Sequence, residues 1–89
     1  MKEGRLTLIN RLGLHARAAG KMVNLAKSFS GEITLARDAE AVNAKSIMAV
    51  MLLAAPVGTE LTLRVTGDDE ERAFAAVVDL VNNRFGEED

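Results

Sequence analysis

"RLTLINRLGLHARAAGKMVNLAKSF", Arg5 to Phe29, changes its hydrophobic period part-way along, and that change decides the fold. At its start Leu6 and Leu8 alternate with polar neighbours, the pattern of a half-buried strand ending near Asn10. Gly13 interrupts the alternation. From Ala16 onward, at about 100° per residue, Ala18, Ala19, Met22, Leu25, Ala26 and Phe29 fall on one face. Arg17, Gly20, Lys21, Asn24, Lys27 and Ser28 point away from it, so this is a surface helix, ended near Gly31.

The same two periods recur downstream. Ile33 and Leu35 alternate, a polar turn covers Arg37 to Glu40, and Val42 follows, which predicts a hairpin. Ser46 then stands as a cap before "IMAVMLLAA", a short helix closed by Pro56 and Gly58. Leu61, Leu63 and Val65 give the clearest strand. After Gly67, Asp68 and Glu71 have capping-box spacing, and Ala73, Phe74, Val77, Leu80, Val81 and Phe85 follow at helical spacing, with Gly86 suited to the end. The order β-α-β-β-α-β-α predicts one α/β (α+β) domain over residues 1–89. Its architecture is a two-layer open-faced sandwich: a four-stranded antiparallel sheet covered on one face by three helices.

Composition narrows the function. With 48% hydrophobic and 27% charged residues, the 89-residue chain can bury a modest core and fold alone. No cysteine is present, which excludes disulfides and thiolate metal sites, and a single histidine argues against a zinc site. The longest apolar run, Ile47 to Val57, is shorter than the roughly 20 residues needed to cross a bilayer. With no signal-peptide core at the start, the expected compartment is the cytoplasm. Net charge is −2, and three aromatic residues, all Phe, argue against nucleic-acid binding. The charge is uneven: residues 1–46 hold eight Lys/Arg against four Asp/Glu, and residues 47–89 three against nine. The positive half contains His15 and would attract an anionic group; the acidic end, Glu87, Glu88 and Asp89, reads as a solubilising tail.

His15 is the candidate reactive residue. If Ala16 starts the helix, His15 is its N-cap, where Ser, Thr, Asp or Asn would be preferred. The free amides of Ala16, Arg17 and Ala18 then make an anion site. A general base serving a serine nucleophile would need an oriented partner and a pocket that so small a chain rarely supplies. Two readings stay open: a structural or exposed histidine, or a nucleophile whose ring nitrogen takes a phosphoryl group, with Arg17 beside the product.

"GLHARAA" (Gly13 to Ala19) and "NAKSIMAVMLLAA" (Asn43 to Ala55) resemble the two signature segments of the HPr family, the histidine-containing phosphocarriers of the bacterial phosphoenolpyruvate phosphotransferase system. The resemblance spans nearly the whole chain. It implies that His15 accepts a phosphoryl group on Nδ1 from phospho-enzyme I and passes it to an enzyme IIA-type acceptor, in sugar uptake or in nitrogen or carbon regulation, with Arg17 helping to hold it. It also implies regulatory phosphorylation of Ser46 by an HPr kinase/phosphorylase, and no cofactor. Ala18 stands where the family usually has proline; alanine gives up the fixed φ and adds an N–H to the first turn. "INRLGLHARAA" and "VNNRFGEED" look closer to the NPr-like members of the family.

Partner docking is expected on two helix faces. Over Ile47 to Ala55, Val50 and Leu53 point one way while Ile47, Met48, Met51 and Ala55 point the other, and the exposed side, with Leu52, reads as an adaptable apolar patch. On the first helix Ala16, Gly20 and Asn24 lie beside Arg17 and leave room for a close approach. The chain is expected to act as a monomer. A regulatory binding module controlled through Ser46 is the alternative; it would have no need of His15.

Overall fold

A computed structural model describes residues 1–88. Strand β1 (Lys2–Thr7) leads through a loop into helix α1 (Ala16–Lys27). The hairpin β2 (Ile33–Arg37) and β3 (Glu40–Asn43), the short helix α2 (Ile47–Leu52), strand β4 (Glu60–Val65) and helix α3 (Glu70–Asn82) follow, with a last turn at Arg84–Gly86. The predicted order holds throughout.

The strands form one antiparallel sheet in the order β1-β4-β2-β3. Because side chains alternate across a strand, the pairs Leu6↔Leu61, Leu35↔Leu63 and Ile33↔Val65 put their side chains on one face, where all six are buried. The helices cover that face: Ala18, Ala19, Met22 and Ala26 of α1, Val50 of α2, and Ala73, Val77 and Val81 of α3 have 0% exposure. The other face stays open and is laced by ion pairs such as Arg64 Nε to Glu3 Oε1 at 2.6 Å.

Three local expectations are corrected. The cap of α3 is Asp69, not Asp68 paired with Glu71, and its carboxylate accepts not from its own helix but from Ser30 N–H at 3.0 Å. α3 stops at Asn82 although Phe85 continues the helical spacing. Arg84, Phe85 and Gly86 all have positive φ (56°, 55° and 80°), and this left-handed turn carries Phe85 back into the core at 1% exposure. α2 ends at Leu52; Leu53 caps it, Ala54 turns at φ 47°, and Ala55 is 3% exposed, so Ala55 belongs to the core and not to the outward face.

Candidate functional site

His15 occupies the N-cap of α1 with extended backbone (φ −77°, ψ 178°), and its side chain makes no capping bond. The first intrahelical bond runs from Ala19 N–H to His15 O at 2.8 Å, so the amides of Ala16, Arg17 and Ala18 lack a helical acceptor. Ala16 and Arg17 are exposed, whereas Ala18 is buried. The arrangement is held from below by a loop that needs glycine at position 13. Gly13 has φ +64°, and a Cβ there would stand 2.5 Å from Ala55 O. Leu14 N–H donates to that oxygen at 2.8 Å, tying the approach to His15 to the exit of α2.

A second link at this end was not visible in the sequence. Glu87 folds back so that its Oε2 pairs with His15 Nε2 and its Oε1 accepts from Asn10 Nδ2 at 2.9 Å. Asn10, 0% exposed, also donates to Gly13 O at 2.7 Å and so joins the tail to the loop. The Glu87 side chain is 13% exposed, so this residue is no solvated tail. The Asn10 amide and then the His15 ring hold its carboxyl below the usual carboxylate range, against a weaker upward push from burial. Arg17 faces the same place: a depression of about 220 Å³ is lined by Arg11, Leu12, Arg17, Glu87 and Glu88. A wider one, about 600 Å³, lies at the far hairpin around Arg37 to Glu40 and touches none of these groups.

The second group of candidates lies along α2. Ser46 caps this helix, accepting from Ala49 N–H at 3.4 Å. Lys45 Nζ donates to Phe29 O at 2.7 Å, which ties the start of α2 to the chain just after the C-terminal end of α1, the end opposite His15. From there α2 and the turn that follows it run back until Ala55 meets Leu14. Its outer face is apolar and open: Met48 is 76% and Leu52 75% exposed, Ile47 41% and Met51 45%. Leu12, 58% exposed in the loop before His15, adds an apolar side chain that sequence reading passed over. On α1, Gly20 is half-buried with nothing within 4 Å of a Cβ placed on it, and Asn24 is exposed. Among the described residues no cluster of three metal-ligating side chains occurs, and no helix is long and apolar enough to cross a membrane.

The sequence and the sandwich it forms match one class of protein. Residues 2–83 fit the family model described as the PTS HPr component phosphorylation site. The chain belongs to the HPr family of phosphocarrier proteins. It is 49% identical over 81 residues to the phosphocarrier protein HPr of Cupriavidus necator, covering 91% of each chain. Among solved structures it superposes on HPr-C-His from Thermoanaerobacter tengcongensis with a TM-score of 0.95 at 46% identity, over 99% of each chain. An HPr dimer from the same organism matches at a TM-score of 0.79 and 46% identity, covering 98% of this chain and 100% of that one.

Proposed function

We propose that this protein is a single-domain, cytoplasmic relay that accepts a phosphoryl group on His15 from phospho-enzyme I and hands it to an enzyme IIA-type acceptor, serving sugar uptake or nitrogen or carbon regulation. The observation that carries this reading is the placement of His15. A histidine makes no cap bond where three helix amides lack acceptors, and Arg17 lines a depression together with Glu87, the residue paired with the His15 ring. An N-phosphoryl group there would face the amide dipoles and the Arg17 charge, both favourable to an anion. Ala16, Gly20 and Asn24 on α1 offer partners a surface of small or polar residues, and Ile47, Met48, Met51 and Leu52 on α2 an exposed apolar one. The relay acts as a monomer in this reading.

Incubation with enzyme I and phosphoenolpyruvate gives an acid-labile, base-stable adduct of one phosphoryl group, and His15→Ala abolishes it. An unmodified mass for the unsubstituted chain overturns the proposal.

Ser46 supports a second, regulatory layer. Its hydroxyl caps α2 at the edge of the apolar patch, so a phosphate added there by an HPr kinase/phosphorylase would bring about two negative charges to the docking face without touching His15. A module that only binds, controlled through Ser46, would keep its target affinity after His15→Ala.

A further inference from the structure

The phosphoryl-carrier reading leaves the tail contact unexplained. Glu87 lies outside the residues that the family model matches. Three features hold it in place. Arg84 and Phe85 adopt left-handed backbone that non-glycine residues enter only at an energetic cost. Phe85 is anchored in the core, and Lys21 Nζ donates to Phe85 O at 2.5 Å. Asn10 then fixes the carboxylate by its other oxygen. A tail kept only for solubility would need none of this.

We infer that Glu87 is a positioning residue for phosphoryl transfer: its carboxylate accepts the Nε2–H of His15, fixing the tautomer whose free lone pair is on Nδ1. This rests on His15 being the phosphoryl acceptor. The pairing is with Nε2, and no hydrogen bond engages Nδ1 among the described residues. A neutral imidazole carries one proton, so a partner that accepts at one nitrogen leaves the other as the nucleophile. In the transfer, the Nδ1 lone pair forms the N–P bond while the donor's bond to phosphorus breaks and its electron pair leaves with the donor. The ring keeps its Nε2–H and becomes an imidazolium, whose charge faces Glu87. When the acceptor's nucleophile attacks phosphorus, the N–P pair returns to Nδ1 and the ring is neutral again. No proton has to enter or leave at Nε2 in either direction, so Glu87 need not move.

The test is long-range ¹H–¹⁵N correlation NMR of protein labelled at His15, in mildly alkaline solution, alongside the rate of phosphorylation by enzyme I. The intact chain is expected to show a single Nε2–H tautomer. In Glu87→Ala the two ring nitrogens move toward averaged shifts and the rate falls roughly tenfold or more, as when an orienting group is taken from a catalytic imidazole. Glu87→Gln, which keeps an acceptor oxygen and loses the charge, retains the tautomer with a smaller loss of rate. Should Glu87→Ala not fold, a Glu87→Gln chain phosphorylated as fast as the parent overturns the inference. Mixed or Nδ1–H tautomers in the intact chain, or unchanged shifts in Glu87→Ala, overturn the inference. A chain with the Nε2–H tautomer that takes no phosphoryl group would overturn the carrier reading alone.

Discussion

Gly13 and Ala55 meet backbone to backbone, so closely that a methyl group on Gly13 would lie 2.5 Å from the Ala55 carbonyl oxygen, and it is through this contact that the loop carrying His15 is seated on the end of α2. Gly13→Ala therefore meets two penalties at once. Left-handed backbone costs about 1–2 kcal/mol for an alanine, and the clash has to be relieved by moving Ala55 or the loop. The expected loss is at least about 2 kcal/mol in urea unfolding, with a slower phosphorylation of His15 because its cap position shifts. A variant as stable and as active as the parent would show that the loop is not held by this contact.

Gly20 gives the opposite sign on the same helix. Nothing lies within 4 Å of a Cβ placed there, so Gly20→Ala should stabilise the protein by up to about 1 kcal/mol through helix propensity alone. If α1 presents this surface to partners, the added methyl slows transfer with enzyme I or the acceptor while the melting temperature rises. The pair of measurements, melting and transfer rate, separates the two effects.

Much of this was legible from local pattern. Leu61, Leu63 and Val65 read as a strand and are all fully buried, and the wheel of α2 correctly split Val50 and Leu53 from Ile47, Met48 and Met51. The misses share one cause, contacts distant in sequence. Ala55 was placed on the outer face by extending a helix that ends three residues earlier, at Leu52. Phe85 kept a 3.6-residue period without being helical, because a left-handed turn delivered it to the same core. Asp69 displaced Asp68 as the cap because α3 starts where Ser30 can be reached from it. Of the site, the His15 and Arg17 end was readable because it lies within one turn of helix. Glu87, 72 positions from His15, and Asn10, 77 from Glu87, carried no local signal beyond an acidic tail and a polar residue at a strand end.

Asp69 sets an acid limit on stability. Hydrogen bonding from Ser30 N–H is the main cause that holds its carboxyl below the ordinary value of 3.8, partly opposed by burial. With the folded value depressed, the contribution is present above 3.8 and is lost as pH falls through the lower folded value. Glu87 acts in the same direction below its ordinary 4.5. The urea midpoint should therefore be insensitive to these two groups between pH 7 and 5 and drop in more acidic solution. Asp69→Asn should be less stable than the parent at pH 7, with the gap closing in acid; a constant gap across that range would rule out the charge as the source.

Ser46 separates capping from charge. Ser46→Ala removes the acceptor for Ala49 N–H, and at a separation of 3.4 Å the loss should sit near the low end for a cap, about 0.5 kcal/mol. Ser46→Asp restores an acceptor at the cap and should recover that stability, yet it puts a negative charge beside Ile47 and Met48. If this face docks partners, Ser46→Asp slows transfer and Ser46→Ala does not. Equal rates for both would leave Ser46 as a cap only.

The two sides of α2 offer the sharpest contrast, since neighbouring residues on one short helix should fail in different assays. Val50 is fully buried, so Val50→Ala leaves a void against the sheet and is expected to lower stability by about 2 kcal/mol with little effect on the transfer rate of the folded fraction. Met48 is 76% exposed, and Met48→Glu should stay within about 0.5 kcal/mol of the parent in unfolding because it loses almost no buried contact. If the apolar face is where partners sit, the buried charge has to be desolvated in the complex, and transfer should fall by roughly tenfold at fixed protein concentration. Arg64→Ala, on the open face of the sheet, is the control: it removes an exposed ion pair with Glu3 worth under about 1 kcal/mol and should leave transfer unchanged. Unchanged transfer in Met48→Glu, or an equal loss in Arg64→Ala, would move the docking surface off α2.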